Sequence, residues 1–504
     1  MIQTPAMISR SDMIRCVLCA DAPCDKACEI LKPSDLLRHI WFGNEQVAAQ
    51  KLPDLELNPC VTCAARCEHA CVRPGEVPIR DLVNRLYYQV KPAAETPLPE
   101  DESRLVCDLC GIPMENPFLL SSSVVASSYD MCARAFEAGW AGACYKTICS
   151  MDIHEASPRY AATAGDNGGF TGFKNIEQLS RNNVEEDMAI LRRLKKDYPK
   201  KLFLASIMGQ NEEEWRALAR RCEENGADAV ELNFSCPNMA EEGLGSDIGA
   251  VPELVERFTA AAKSGCRIPV LAKLTPNAGP MTPAAEAAFR GGADGLAAIN
   301  TVKSVMGINI HTYVSAPSVH GHSAVGGYSG NAVKPIALRF VSELAQNPLA
   351  KGKHITAMGG VETWQDALEF MLLGGGTIQV TTAVMQYGYR IIDDLKAGLN
   401  LYLKEKGFSN VRQLIGMSLD TLHPNTDTLE RDTVLFPAFI RERCIGCGRC
   451  EIACADGGHQ AIRLDEARRP ILDGKRCVGC HLCTLVCPQR AVVPGHKRVA
   501  LTNR

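Results

Sequence analysis

Sixteen of the chain's 24 cysteines fall into four short runs whose spacing suits iron–sulfur chemistry. The last run, Cys477, Cys480, Cys483 and Cys487 followed by Pro488, reads C-x2-C-x2-C-x3-C-P. Cys444, Cys447, Cys450 and Cys454 repeat it with Ala455 in place of the proline. Thiolates so spaced hold a pair of 4Fe–4S clusters, the fourth cysteine of each run crossing to the other cluster. Two further runs lie near the N-terminus: Cys16, Cys19, Cys24 and Cys28, then Cys60, Cys63, Cys67 and Cys71. A disulfide scaffold is the alternative for so many cysteines, but it belongs to small secreted domains. This chain has 504 residues and opens MIQTPAMISRSDMIRC, without an apolar leader. The expectation is therefore cluster-bound thiols in a reducing cytoplasm.

The elements between the cysteine runs must say what the electrons are for. From Leu105 onward, apolar runs alternate with amphipathic helices. Eight runs read as strands: 118–123, 141–148, 201–208, 227–235, 268–275, 295–301, 354–360 and 377–384. Helices are expected at 128–138, 184–197, 211–224, 251–264, 282–290, 334–346 and 363–373. Continuous apolar strands each followed by a helix mean a parallel sheet covered by helices. Eight such units point to an α/β fold, a closed (β/α)8 TIM barrel, with a doubly wound open sheet as the alternative. The expected domains are an α-helical iron–sulfur domain (1–90), a Pro-rich acidic linker (91–104), the barrel (105–415), a connecting arm (416–438) and a ferredoxin-like domain with two 4Fe–4S clusters (439–504). The stretch between Cys454 and Cys477 is long enough for a hairpin insert.

In a barrel, chemistry sits at the C-terminal strand ends. Those ends are polar here: Ser121–Ser123 (Ser122 among them), Lys146–Thr147, Asn233, Lys273, Asn300–Thr301, Gly359–Gly360 and Thr381–Thr382. The run Gly326-Gly327-Tyr328-Ser329-Gly330 after the sixth strand, with Gly359 and Gly360, suggests a phosphate site, because glycines let backbone N–H groups approach an anion. Lys146 and Lys273 would point into the mouth, and interior lysines need a charge to neutralise. A flavin whose N1–C2=O edge becomes anionic on reduction supplies one; a structural carboxylate is the alternative. Cys236 follows the fourth strand in a loop through Gly243 and Gly245. It suits proton transfer, since an unperturbed thiol is protonated at neutral pH. Cys107, Cys110, Cys132, Cys144, Cys149, Cys222 and Cys266 read as core or surface thiols. A net charge of −4 and the absence of any long apolar run give no reason to expect nucleic acid or a membrane.

The segments AFEAGW (135–140), KNIEQ (174–178), ASIMG (205–209), ELNFSCP (231–237), AKLTPN (272–277), INTVKS (299–304) and GYSG-x-AVKPIALRF (327–340) resemble the catalytic subunit of bacterial NAD-dependent dihydropyrimidine dehydrogenase. The first 90 residues resemble the iron–sulfur module of the long, single-chain dihydropyrimidine dehydrogenases and of glutamate synthase small subunits. This resemblance implies FMN held by Ser122, Lys146, Lys273, Gly327, Ser329, Gly359, Gly360, Thr381 and Thr382. It implies a pyrimidine base held by Asn175, Glu177, Asn233, Asn300 and Thr301, with Cys236 as acid/base. The reaction would be reduction of the C5=C6 bond of uracil or thymine, or its reverse, with hydride delivered to C6 from reduced FMN. Cys16, Cys19, Cys24 and Cys71 would share one N-terminal cluster and Cys28, Cys63 and Cys67 another. The glutamine that completes the second set in long relatives has no match in IRDLVNRL (79–86), and Cys60 is the natural substitute. No G-x-G-x-x-G follows a strand, so electrons would come from a separate NAD(P)H/FAD flavoprotein subunit or a ferredoxin, in a homodimer or heterotetramer. The alternatives are a dihydroorotate dehydrogenase-type FMN enzyme, with a cation such as Lys303 for the carboxylate, and a non-catalytic electron-transfer subunit.

Overall fold

The computed structural model describes residues 8, 10–55, 57–73, 77–165, 169–239 and 244–500. The chain divides into two compact units, 1–422 and 423–504.

Eight parallel strands close a barrel in the first unit. They are β1 (Phe118–Leu120), β2 (Gly142–Ile148), β3 (Leu202–Ile207), β4 (Ala229–Asn233), β5 (Val270–Lys273), β6 (Gly295–Ala298), β7 (His354–Ala357) and β8 (Thr377–Val380). Each pairs with the next, and Ile378, Gln379 and Val380 of β8 close the ring against Phe118, Leu119 and Leu120 of β1. The open-sheet alternative is thereby excluded. Nearly every strand residue is buried, as expected for strands covered on both faces. Helices return the chain between strands, and some of them start on side-chain caps. Asn183 and Glu186 form a capping box at Val184–Asp197, and Thr363 and Asp366 another at Trp364–Leu372.

The strands are shorter than the sequence implied. Ser121–Ser123, Phe234–Ser235, Leu274–Thr275, Ile299–Thr301 and Met358–Gly360 leave the ladder, and Thr382 already opens the helix Thr382–Tyr387. Polar side chains there bond one another and do not extend the sheet. A second sheet, absent from the sequence reading, stands over the mouth: Val302–Ser304, Gly326–Ser329, Phe170–Asn175 and Tyr160–Ala164, all antiparallel.

The N-terminal domain packs on the barrel; its helix Pro33–Trp41 buries Leu36, Leu37, Ile40 and Trp41 in the same core as the barrel helices. Trp41 and Phe42 meet Tyr387 edge-on, at 6.5 and 5.1 Å between ring centroids. The stretch read as a linker is strapped down. Lys396 pairs with Glu102, Asn400 donates to the Asp101 carbonyl, and Lys404 to that of Leu98, all from the helix Ile391–Glu405.

In the second unit Thr433–Phe439 pairs with Val492–Ala500 and Ile462–Leu464 with Pro470–Leu472, the latter being the hairpin expected between the two cysteine runs. Its small core is Cys450, Ile462, Cys483 and Val492.

One buried charge cluster joins the N-terminal domain to the barrel. Asp394 is fully buried, with Oδ1 2.8 Å from His39 Nδ1 and Oδ2 3.1 Å from Arg38 Nη1. Removing one partner of a buried pair strands the others. Asp394→Ala should cost about 3–5 kcal/mol, read as a lower urea midpoint of the first unit. Asp393→Ala, at the more exposed neighbour, should stay within about 0.5 kcal/mol. Equal effects would show that the cluster does not hold the two domains together.

Candidate active site

The strand ends and the second sheet line a cavity at the C-terminal mouth of the barrel. Of the fifteen non-cluster residues singled out in the sequence, fourteen line it: Ser122, Lys146, Asn175, Glu177, Asn233, Cys236, Lys273, Asn300, Thr301, Ser329, Gly359, Gly360, Thr381 and Thr382. Gly327 does not. It sits in a strand paired with Asn175 and Lys303, where a Cβ would lie 2.1 Å from Thr301 Oγ1. Its smallness serves that close packing, and Gly330 takes its place on the wall.

Amides and hydroxyls on one side of the cavity are fixed by one another. Asn233 Nδ2 donates to Thr147 Oγ1 at 2.9 Å, Asn300 Nδ2 to Ser235 Oγ at 2.8 Å, and the Thr301 N–H to Asn300 Oδ1 at 2.7 Å. Asn238 Nδ2 donates to Asn175 Oδ1 at 3.0 Å. On the other side Ser329 Oγ lies 2.9 Å from Thr382 Oγ1, and Ser123 Oγ 3.2 Å from Thr381 Oγ1. Gly360 has φ +85°, and a Cβ there would meet the Gly330 carbonyl at 2.8 Å, so backbone reaches the cavity wall where a side chain would block it.

Both lysines are buried, Lys146 at 7% and Lys273 at 4% exposure, and both are paired with carboxylates. Lys146 Nζ lies 2.6 Å from Glu177 Oε1, and Lys273 Nζ 3.1 Å from Glu231 Oε1. Each lysine thus already has a carboxylate partner. Glu177 bridges Lys146 and the Tyr160 hydroxyl, which donates to Oε2 at 2.8 Å. Glu231 escaped the sequence reading because it stands mid-strand in an apolar run; its even spacing from Asn233 was the signal that both face the barrel interior.

Cys236 is 6% exposed in the loop after β4. Its carbonyl accepts from the Ser246 N–H at 2.9 Å. Gly245 returns the loop onto it with φ +56°, and a Cβ at 245 would fall 2.3 Å from the Cys236 carbonyl. Gly243 lies outside the described residues. Burial pushes the thiol up to about 11, and the Asn238 N–H with the Lys146 and Lys273 charges offsets only part of this. It is a protonated acid at neutral pH.

The cysteine runs gather around small cavities. Cys444, Cys447 and Cys450 share one with Cys487, while Cys454 shares another with Cys477, Cys480 and Cys483, which is the crossing pattern expected. Cys16, Cys19, Cys24 and Cys71 line a third. Cys28, Cys60, Cys63 and Cys67 form a fourth group, where burial and the neighbouring thiols push Cys60 and Cys67 up to about 11. Among the described residues no three His, Cys, Asp or Glu converge as for a single metal ion. Thiols spread around a cavity suit a multi-iron cluster, whose ligands stand farther apart. Cys132, Cys144, Cys149, Cys222 and Cys266 are buried thiols; Cys107 begins the first strand of a short hairpin and is buried, and Cys110 lies in its turn, half-buried. No helix of the described residues is long and apolar enough to cross a membrane.

Residues 104–403 match the model of the family described as dihydroorotate dehydrogenase, and residues 438–493 that of the 4Fe–4S dicluster domain. The chain is 50% identical over 360 residues to the NAD-dependent dihydropyrimidine dehydrogenase subunit PreA of Escherichia coli, covering 71% of this chain and 87% of that one. It is 38% identical over 345 residues to the chloroplastic dihydropyrimidine dehydrogenase (NADP(+)) of Arabidopsis thaliana, covering 66% and 81%. A crystal structure of DHODH in complex with ferulenol from Eimeria tenella superposes with a TM-score of 0.52 at 20% identity, covering 64% and 91%, and shares the fold. With a barrel of this fold, a mouth lined by the expected residues and these matches, the chain belongs to the dihydroorotate dehydrogenase family, alongside the dihydropyrimidine dehydrogenases, and carries a 4Fe–4S dicluster domain.

Proposed function

We propose that the chain is the catalytic subunit of an iron–sulfur flavoprotein oxidoreductase that reduces the C5=C6 bond of uracil or thymine, or runs the reverse oxidation. The observation that carries this reading is the pairing, in one cavity, of a protonated buried thiol with a set of pre-bonded amides. Asn175, Asn233 and Asn300 offer the donors and acceptors that match the amide edges of a pyrimidine, and Thr301 adds a hydroxyl. Mutual hydrogen bonds hold them in place before a base arrives, so little ordering remains to be done on binding.

The residues present fit FMN. Ser329, Thr381, Thr382, Gly359 and Gly360 form the polar, backbone-rich end that would take its phosphate, and Lys146 and Lys273 supply the positive side chains of the mouth. Hydride chemistry at C6 is what bound FMN supplies. Cys236 would hold the proton destined for C5 at its Sγ, while the second sheet limits the entry of water.

The same cavity argues against orotate. Its only cations among the described lining residues are Lys146 and Lys273, each already paired with a carboxylate. Lys303, the loop residue considered for the orotate carboxylate, is exposed and does not line the cavity. A carrier subunit would have no use for Cys236 or for the amides. Electrons would arrive through two C-terminal and two N-terminal 4Fe–4S clusters, Cys60 completing the second N-terminal set, from a partner flavoprotein or ferredoxin. That the E. coli relative is named as a subunit of an NAD-dependent enzyme supports such a partner.

The direct test is anaerobic: reduce the loaded protein, add one base, and follow flavin and cluster absorbance. Uracil or thymine should reoxidise it and orotate should not; reoxidation by orotate alone, or by none, would sink the reading. Cys236→Ala should retain flavin and iron while turnover falls roughly 10²- to 10⁴-fold; near-native turnover would remove Cys236 from the chemistry. The thiol pKa also fixes a sign. The acid form persists below about 11, so base reduction should be flat from pH 7 to 9. Oxidation of the dihydropyrimidine, which needs the thiolate, should rise about tenfold per pH unit over the same window. Stopped-flow rates in both directions would check this.

A further inference from the structure

Below the mouth, the barrel interior holds a charge where the usual filler is a branched apolar residue. Glu231 on β4 is 0% exposed, two residues before Asn233 on the same inward face. Three other strands meet its carboxylate. Oε1 lies 3.1 Å from Lys273 Nζ on β5, and Oε2 accepts from Gln379 Nε2 on β8 at 3.1 Å. The Cys144 thiol on β2 is kept protonated by burial and by the neighbouring Glu231 charge. Lys273 itself reaches the mouth, where Nζ is also 3.5 Å from Ser121 Oγ.

A buried carboxylate is costly, and packing alone would be better served by an apolar residue of the same size. Among the described residues the full charge paired with Glu231 is Lys273, and Lys273 lines the cavity assigned to the flavin. Two consequences follow. Glu231 fixes the Lys273 ammonium to the wall, and its negative charge cancels part of the field that Lys273 projects into the mouth. A reduced flavin is anionic and its stability rises with the positive potential around it.

Resting on the flavin reading above, we propose that Glu231 is a positioning residue that lowers the reduction potential of the bound flavin by acting through Lys273. It touches neither substrate nor flavin. In this account the barrel core sets how strongly the flavin reduces, separately from the residues that grip it.

The experiment is an anaerobic titration of the FMN-loaded protein against a redox dye, comparing wild type, Glu231→Gln and Glu231→Asp. Glu231→Gln should hold FMN and raise its reduced-to-oxidised ratio at a fixed dye potential about tenfold, close to 30 mV for a two-electron couple. Glu231→Asp keeps both charges but draws the carboxylate back by one methylene, and should give a smaller rise of the same sign. A purely structural role would weaken folding or FMN affinity without moving the potential of the flavin that remains bound. An unchanged or lowered potential in the variants, or loss of FMN from both, overturns the proposal. A wild-type protein that takes up no FMN overturns the flavin reading itself, and the two failures are thereby distinguishable.

Discussion

Charge buried at a barrel mouth has to be balanced where it lies, and most of what is distinctive in this chain follows from that. Lys146 and Lys273 stand almost out of reach of water, and each is met by a carboxylate from a different element. For Lys273 the partner comes from the neighbouring strand, so the register that sets Asn233 opposite Lys273 also sets Glu231 one layer beneath it. For Lys146 the partner is Glu177, delivered by the second sheet through the strand that ends at Asn175. The sheet over the mouth therefore brings in the residue that neutralises the barrel, and with it Asn175 and the Tyr160 hydroxyl.

The same logic extends outward to the N-terminal domain. The helix Thr382–Tyr387 begins on the cavity wall and ends against Trp41 and Phe42. Just beyond it, Arg390 donates to the carbonyls of Leu18 and Cys19, and Cys19 lines the thiol cavity of the first run. One short helix thus separates the cavity from a set of candidate cluster ligands. Arg10 of the N-terminal domain lies 3.6 Å from Glu362, which lines the cavity and whose carboxyl burial pushes up to about 7. Packing the N-terminal domain on the barrel places its first thiols near the Thr382 side of the cavity.

Much of this was legible in the residues. Apolar runs alternating with amphipathic helices marked all eight barrel strands, and the cysteine spacing anticipated that Cys454 and Cys487 each sit with the other run. The polar strand ends line one cavity, as the C-terminal face of a barrel leads one to expect. Other features left no local trace. The second sheet is built from strands of three to six residues, partly exposed, that pair across up to about 150 positions, as Gly327 does with Asn175. Such segments carry no burial alternation to read. Gly327 looked like its neighbours in a glycine run, and only the fold tells which glycine packs under Thr301 and which faces the cavity. The partners of the lysines were hidden for a similar reason: Glu231 sits inside an apolar strand, and Glu177 comes from an element whose place the sequence did not reveal.

The central claim is that one cavity seats the base with its C5 against the Cys236 thiol. A crystal structure of the FMN-loaded, oxidised protein with 5-bromouracil tests it most directly, because the bromine marks C5 by its anomalous scattering. The account predicts a single strong peak beside Cys236 Sγ, with the amide edges of the base against Asn175, Asn233 and Asn300. A peak on the far side of the ring from Cys236, or a base bound outside this cavity, would contradict it.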